Sequence, residues 1–366
     1  MASEVFFTDM QASPSENQLS KLLKLIKKAG IDKIDFKNKF TAIKIHFGEH
    51  GNMAYLRPTY AGTVVDFVKE KGGIPFITDA NTLYNGMRSD AIHHIECAAR
   101  NGYTRESIGC PVIIADGLKG IDTREVEINQ KHCKTAKIAS AIYESDAMVV
   151  ISHFKGHGMA GFGGAVKNLA MGCASRGGKL HMHSNVKPSV KTDTCVKCAA
   201  CMKNCPAKAI FANDNKMIEI DQQKCVGCGE CIAMCRYDSI DFGYNEAFDV
   251  MNEKMAEYAY AATKDKPCFY INLIIDVSPE CDCWNFNRSP ICPNIGFLAS
   301  FDPVALDKAC VDLVNRATPS TESDACHCKA GEDKFHAMHP NAHWEKCLEH
   351  AVAIGLGGLE YKLVKV

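Results

Sequence analysis

Short apolar runs bounded by turn residues recur along the first half of the chain: KFTAIKIHF (39–47), GIPFITDA (73–80), PVIIADG (111–117) and AMVVISHF (147–154). Runs of this length without polar alternation predict strands buried on both faces, as in a parallel sheet. Between them the apolar period lengthens to that of a helix. Residues 18–29 place Leu19, Leu22, Leu23 and Ile26 on one face ahead of Gly30, and residues 58–71 open on Pro58 and close on Gly72 and Gly73. Those residue types start and stop helices. Residues 88–100 and 135–145 read as helices in the same way. The alternation predicts an α/β layered domain with a mainly parallel sheet, in which ligands sit beyond the carboxyl ends of the strands.

The pattern breaks between 187 and 242, where TDTCVKCAACMKNCPAKAIF and DQQKCVGCGECIAMCRYDSIDF form two cysteine-dense repeats. It then resumes with a helix over about 247–264, the strands CFYINLIIDV (268–277) and IGFLAS (295–300), a helix over 303–316, a helix near 341–354 and an edge strand YKLVKV. The organisation this predicts is one discontinuous α/β domain, 1–186 with 243–366, interrupted by a small bacterial-ferredoxin-like (α+β) module at 187–242.

Composition narrows the function classes. The 366 residues carry 42 Lys and Arg against 43 Asp and Glu, a formal net charge of -1. Without a basic field, nucleic-acid binding has no electrostatic support. No apolar run reaches the roughly 18 residues of a membrane helix, and the opening MASEVFFTDMQASPSENQ lacks the basic-then-apolar order of a secretory signal. These features predict a cytoplasmic protein with neither a membrane nor a nucleic-acid partner. Thiols stay reduced in that compartment, so the 20 cysteines point to metal rather than disulfides.

Cys195-x2-Cys198-x2-Cys201-x3-Cys205-Pro206 is the bacterial ferredoxin spacing, and Cys225, Cys228, Cys231 and Cys235 repeat it. Three thiolates two residues apart line a tight loop around one cubane, and the fourth reaches the other cubane. The pattern assigns Cys195, Cys198, Cys201 and Cys235 to one [4Fe–4S] cluster and Cys225, Cys228, Cys231 and Cys205 to a second. Zinc knuckles, the alternative for paired cysteines, do not require two consecutive copies of the eight-ligand pattern. The module is nearly neutral and presents no single-sign surface to one obvious partner. A ferredoxin or another redox protein is the partner expected.

Candidate chemistry outside this module is densest at SHFKGHGMAGFGGAVKNLAMGCASRGGKLHMHSN, residues 152–185. A strand here enters a glycine-rich turn, and a helix predicted from about Gly163 would offer its N-terminal N–H groups to an anion. His153, Lys155, His157 and Lys167 are the candidate catalytic residues; Gly163, Gly164 and Asn168, with His46 and Arg88 from the two preceding strand ends, would form the ligand cleft. The cationic character of those loops suits an anionic small molecule. Cys281, Cys283 and Cys292, with His183, are candidates for a further metal, and Cys326-His-Cys328 lies beyond them.

HFGEHGN, TDANTLYNGMRSDA, SHFKGHGMAGFGGAVKNLAMGCASRGGK, CDC and IGFLASFDPVALDKACVDLV together resemble a family of uncharacterised iron–sulfur-centre proteins, in which a domain of unknown function is interrupted by a two-cluster ferredoxin module. The resemblance covers nearly the whole chain and implies the same inserted architecture. More locally, GHGMAGFGGAVK is similar to a segment of nickel-pincer lactate racemases. That similarity implies a catalytic base at His157, a cofactor-bearing Lys167 and a nickel ligand at His183. The racemases' N-terminal Thr-Arg-Pro motif has no counterpart, since Thr123 and Arg124 are followed by Glu125.

The first expectation for function is an iron–sulfur electron-transfer protein or oxidoreductase, its two clusters passing low-potential electrons to or from a site in the α/β domain. That site would hold an unknown third metal or organic cofactor, or the substrate alone. A racemase-like enzyme on a small hydroxy or carboxylic acid, with structural clusters, is the alternative; an iron–sulfur or metal-delivery scaffold is the third.

Overall fold

The computed structural model describes residues 2–84, 86–184, 187–241 and 246–366. Eight strands form the main sheet: β1 (Ser3–Asp9), β2 (Phe40–Lys44), β3 (Ile74–Asp79), β4 (Val112–Ile114), β5 (Ala147–His153), β6 (Cys268–Ile274), β7 (Gly296–Ser300) and β8 (Tyr361–Lys365). Their order is β8-β1-β7-β6-β5-β2-β3-β4. Every neighbouring pair is parallel except those of β7, which runs antiparallel to β1 and β6. The fold is therefore α/β with a mostly parallel sheet, and strands from before and after the cysteine-rich segment meet at the β5–β6 pair.

Both faces of the sheet are covered, which is why the central strands read as unbroken apolar runs. All seven residues of β5 and of β6 are buried. Helices α1 (Gln18–Lys28), α2 (Pro58–Glu70) and α3 (Ala91–Arg100) precede the site, α4 (Ala165–Cys173) and α5 (Arg176–His183) follow β5, and α6 (Phe248–Thr263), α7 (Pro303–Arg316) and α8 (Trp344–Ala353) complete the layers. On one face Leu22 and Val64 pack with Val149, Ile151 and Leu273; on the other Leu169, Met255 and Leu306 pack with Met148, Val150 and Tyr270. Alternate residues of one strand thus feed two cores.

Three expectations change. Residues 135–145 are not one helix: Thr135–Ala139 is a strand paired antiparallel with Thr123–Glu127, and only Ser140–Glu144 is helical. The burial alternates with period two there, because the partner strand supplies the hydrogen bonds. The chain also gains β1, and the helix expected over 88–100 starts at Ala91 because Asp90 caps it, its carboxylate accepting from the His93 amide at 3.0 Å. Among the described residues no helix is long and apolar enough to cross a membrane.

The cysteine-rich segment is built of short pieces: Ser189–Val190 pairs with Ile240–Asp241 and Ile210–Ala212 with Ile218–Ile220, beside the helices Ala200–Lys203 and Glu230–Met234. The expected junctions at 186/187 and 242/243 fall on or beside residues outside the described set. The internal repeat is visible in the backbone. Left-handed residues occur at Lys197, Ala199 and Lys208 and recur at the matching positions Gly227, Gly229 and Asp238. The segment's small core, Cys201, Ile210, Ile218, Cys231, Ile232, Cys235 and Ile240, is completed by Leu83 and Leu180 from the α/β layers.

Candidate functional site

A cavity of about 970 Å³ opens at the carboxyl ends of β2, β3 and β5, where an α/β sheet places ligand chemistry. That volume stands at the upper end of small-molecule sites, so the space exceeds what a three-carbon acid needs. His46, Arg88, His153, Lys155, His157, Gly163, Gly164, Lys167, Asn168, His183, Cys281 and Cys283 all line it. The glycine-rich segment, the two earlier strand ends and the CDC loop therefore share one site. Cys292 stands apart, on a shallow groove with Ser289 and Thr321.

Several of these side chains are committed to holding the cavity's shape. Arg88 donates through Nε to Glu49 at 3.0 Å, through Nη1 to His46 at 2.9 Å and through Nη2 to the Tyr84 hydroxyl at 2.9 Å. Asn168 donates to the Ile151 carbonyl at 3.0 Å and accepts from Lys44 at 2.6 Å, tying α4 to the end of β5. Lys44 also meets Asp79 at 2.9 Å. Burial alone would push the Asp79 carboxyl up, but Lys44, His46, His94 and Arg88 hold it well below the usual carboxylate range.

The helix after the glycines does not offer its N-terminus to a ligand. Asp307 of α7 fills that position: its carboxylate accepts from the amides of Ala165 at 2.7 Å and Val166 at 2.9 Å, and from Asn272 at 2.7 Å. The expected anion site is therefore occupied by the chain's own carboxylate. Gly164 is glycine for the same reason, since a Cβ there would lie 2.3 Å from Asp307 Oδ1. Burial raises the Asp307 carboxyl to about 6.

The CDC loop is clamped over the cavity. Between the two cysteines, Asp282 turns away into the protein, where His153 Nδ1 donates to it at 2.9 Å and Lys155 approaches at 3.3 Å. His153 Nε2 donates to the Ile275 carbonyl at 2.8 Å, so both ring nitrogens face acceptors. His153 and Lys155 thus position the loop. Burial opposes the charge on Lys155, but Asp282 raises it above the ordinary lysine range. The loop also rests on the backbone of Gly156, where a Cβ would come within 2.1 Å of the Pro279 carbonyl.

Cys281 and Cys283 point into the cavity beside His157. The two sulfurs and one ring nitrogen lie within 4.8 Å of one another, close enough to share a metal ion. Lys167 Nζ is 3.9 Å from Cys281 Sγ. A hydrogen bond from Cys283, and then Lys167 and Lys155, hold the Cys281 thiol well below its ordinary value, while Cys283 is pushed up by the same pairing and by burial. Burial and the neighbouring Lys167 keep His157 and His183 low, His183 at about 4. Lys179, also on the cavity wall, is buried without a carboxylate partner among the described residues and is lowered by that burial to about 8.

The ferredoxin-spaced cysteines are neighbours in the folded chain. Cys201 interacts with Cys235, Cys195 and Cys198, and Cys231 with Cys228, Cys225, Cys201 and Cys205. The Ala209 amide donates to Cys205 Sγ at 3.3 Å and that of Ser239 to Cys235 Sγ at 3.2 Å. The loop between Cys228 and Cys231 abuts the cavity wall. A Cβ on Gly229 would stand 3.0 Å from both Leu83 and Arg176, and Leu83 lines the cavity. Arg176 Nη1 donates to Glu230 in this loop at 2.7 Å, and the pair is fully buried.

Sequence reasoning missed Asp282, Asp307, Arg176 and Glu230 as builders of the site. Only Asp282 carried a local signal, standing between two cysteines already singled out.

A family model described as "Domain of unknown function (DUF362)" matches residues 41–312. No curated protein matches the chain. Among solved structures, the chain is similar to the lactate racemase apoprotein from Thermoanaerobacterium thermosaccharolyticum, at 13% identity and a TM-score of 0.43, covering 86% of this chain and 58% of that one. It is also similar to a structural-genomics target from Thermotoga maritima, at 13% identity and a TM-score of 0.34, covering 94% of this chain and 60% of that one. The chain thus spans less than two thirds of the length of either.

Proposed function

This chain belongs to the DUF362 family, and from that premise we propose that it is an iron–sulfur redox enzyme acting on a small anionic molecule in the cavity. Cys195, Cys198, Cys201 and Cys235 would hold one [4Fe–4S] cluster, and Cys225, Cys228, Cys231 and Cys205 the other. When bound, such clusters supply one-electron transfer at low potential. The observation that carries the reading is the contact of Gly229 with Leu83: the loop between two cluster cysteines packs on a side chain that itself lines the cavity.

The remaining roles fall to the chain's own residues. Lys167 and Lys179 are the cavity ammonium groups without a carboxylate partner among the described residues, and they would bind the anion. Arg88, Asn168 and His153 hold the walls in place, and Leu83 and Met171 exclude water. Electrons would enter from a ferredoxin or another redox protein at the outer loop, where Cys198 is exposed.

Anaerobic purification with iron and sulfide counting tests the reading. About eight irons are expected, with loss of roughly half in Cys228→Ser and a reduced-state paramagnetic signal that bleaches when the substrate accepts electrons. Zinc in place of iron would overturn it.

The racemase-like alternative keeps one specific support: His157, Lys167 and His183, the residues similar to those of the nickel-pincer enzymes, line the same cavity. Substrate turnover with the iron fully oxidised and no electron donor present would favour it.

A further inference from the structure

Cys281 and Cys283 are not needed to hold either cluster, and their surroundings are those of reacting thiols. The Trp284 amide donates to the Cys281 carbonyl at 3.1 Å, closing a turn that draws the two cysteines together. Asp282 is held away from the cavity by His153 and Lys155, the Glu49 amide donates to the Asp282 carbonyl at 2.9 Å, and the Tyr84 hydroxyl donates to the Cys283 carbonyl at 3.2 Å. With the backbone held on both sides, the two sulfurs share the cavity face and lie within 4.8 Å of each other. Lys167, 3.9 Å from Cys281, supplies the positive charge that favours a thiolate.

His157 argues against a metal at this place. Its Nδ1 accepts from the amides of Met159 at 3.2 Å and Ala160 at 3.1 Å. The hydrogen of the neutral ring therefore sits on Nε2, which becomes a donor instead of a lone pair for a metal. A hydrogen-bond donor beside the reacting sulfurs stabilises the negative charge of a departing thiolate.

We propose that Cys281 and Cys283 are a redox-active dithiol that cycles with an intramolecular disulfide and reduces a small anionic disulfide in the cavity. The Cys281 thiolate attacks one sulfur of the substrate, forming a mixed disulfide and releasing the other half as a thiolate, which accepts a hydrogen bond from His157 and takes up the proton that Cys283 loses. The Cys283 thiolate then attacks Cys281, which releases the second half as a thiolate and leaves the Cys281–Cys283 disulfide. That half takes a proton from solvent. Two electrons and two protons then restore the dithiol, the electrons coming singly from a low-potential iron–sulfur donor. This last step rests on the function proposed above. It has a route in the fold: Leu83 packs against Gly229 of the cysteine loop, and the next residue, Tyr84, holds Cys283.

The test uses the full-length protein, purified anaerobically and poised in mixtures of reduced and oxidised glutathione, a small anionic disulfide. Free thiols are alkylated, and the peptides carrying Cys281 and Cys283 are quantified by mass. Both cysteines are expected to gain and lose protection together with a two-electron dependence on poise. In Cys283→Ser a glutathionyl group is expected to stay trapped on Cys281, and in Cys281→Ser none accumulates on Cys283. Alkylation of both cysteines regardless of poise would overturn the dithiol, as would protection that only a metal chelator removes. Iron is counted in the same samples. A cycling pair in protein without iron would leave the dithiol standing and refute the iron–sulfur reading. A silent pair beside about eight irons would refute the dithiol alone.

Discussion

Arg176 and Glu230 meet as a buried ion pair at 2.7 Å, joining the start of α5 to the loop between Cys228 and Cys231. Arg176 also donates to the carbonyls of Thr82, Lys119 and Ser89. One guanidinium therefore ties the cysteine segment to the loops after β3 and β4. Removing it leaves Glu230 charged in a site that water does not reach. Arg176→Met should cost about 3 kcal/mol or more, read as a lowered thermal midpoint. Arg176→Met with Glu230→Leu should recover much of that loss; full additivity of the two changes would contradict a direct pair.

Lys179 is a buried charge retained at a cost to stability. Its value falls from 10.5 to about 8 in the folded protein, a difference worth about 3 kcal/mol. Because the folded value lies below the unfolded one, the cost is full below pH 8 and disappears as pH rises from 8 towards 10.5. Lys179→Met should therefore be more stable than wild type at pH 7, with the gap closing across that window. Denaturant titrations at pH 7, 9 and 10.5 check it, and a gap that widens with pH would contradict it. Anion binding in the wild type should weaken as pH passes about 8.

Two glycines of one segment should behave oppositely. A Cβ on Gly156 would meet the Pro279 carbonyl at 2.1 Å, whereas one on Gly158 meets nothing within 4 Å. Gly156→Ala should displace the loop bearing Cys281 and raise the alkylation rate of that thiol at least severalfold, with the circular dichroism unchanged. Gly158→Ala should leave the rate at the wild-type value.

Asp307 serves three buried donors, two amides at the start of α4 and the Asn272 side chain on β6. Asp307→Ala should destabilise the protein by about 3 kcal/mol, since each orphaned donor costs of order 1 kcal/mol or more. Phosphate should then raise the melting temperature of the variant and leave that of the wild type unchanged. An equal response of both proteins would contradict the internal cap.

The layers were legible from residues because β5, β6 and their neighbours are buried on two faces, which writes burial directly into the local sequence. The strand at Thr135–Ala139 was not legible, because its partner decides it and alanine-rich TAKIASAIYE suits a helix equally. At the site, the residues that face the cavity were found, since His157, Lys167, Cys281 and Cys283 stand in dense local motifs. Two carboxylates that hold the site together, Asp282 and Asp307, were missed. Asp282 reaches back to His153, and Asp307 to Ala165, across long stretches of chain, and no local pattern encodes such pairings.

The duplicated cysteine loops are alike in backbone and unlike in side chains. Lys197 and Ala199 occupy the left-handed positions of the first, and Lys197 is exposed beside Val196 and Cys198. Glycine takes both positions in the second, where Gly229 has no room for a side chain against Arg176 and Leu83. A symmetric duplication has thereby acquired a direction: the second loop is closed on one side, at Gly229, by the α/β layers, whereas Lys197 of the first is exposed. The two loop sequences are therefore not interchangeable: the alanine of the first, moved to position 229, would press on Arg176 and Leu83.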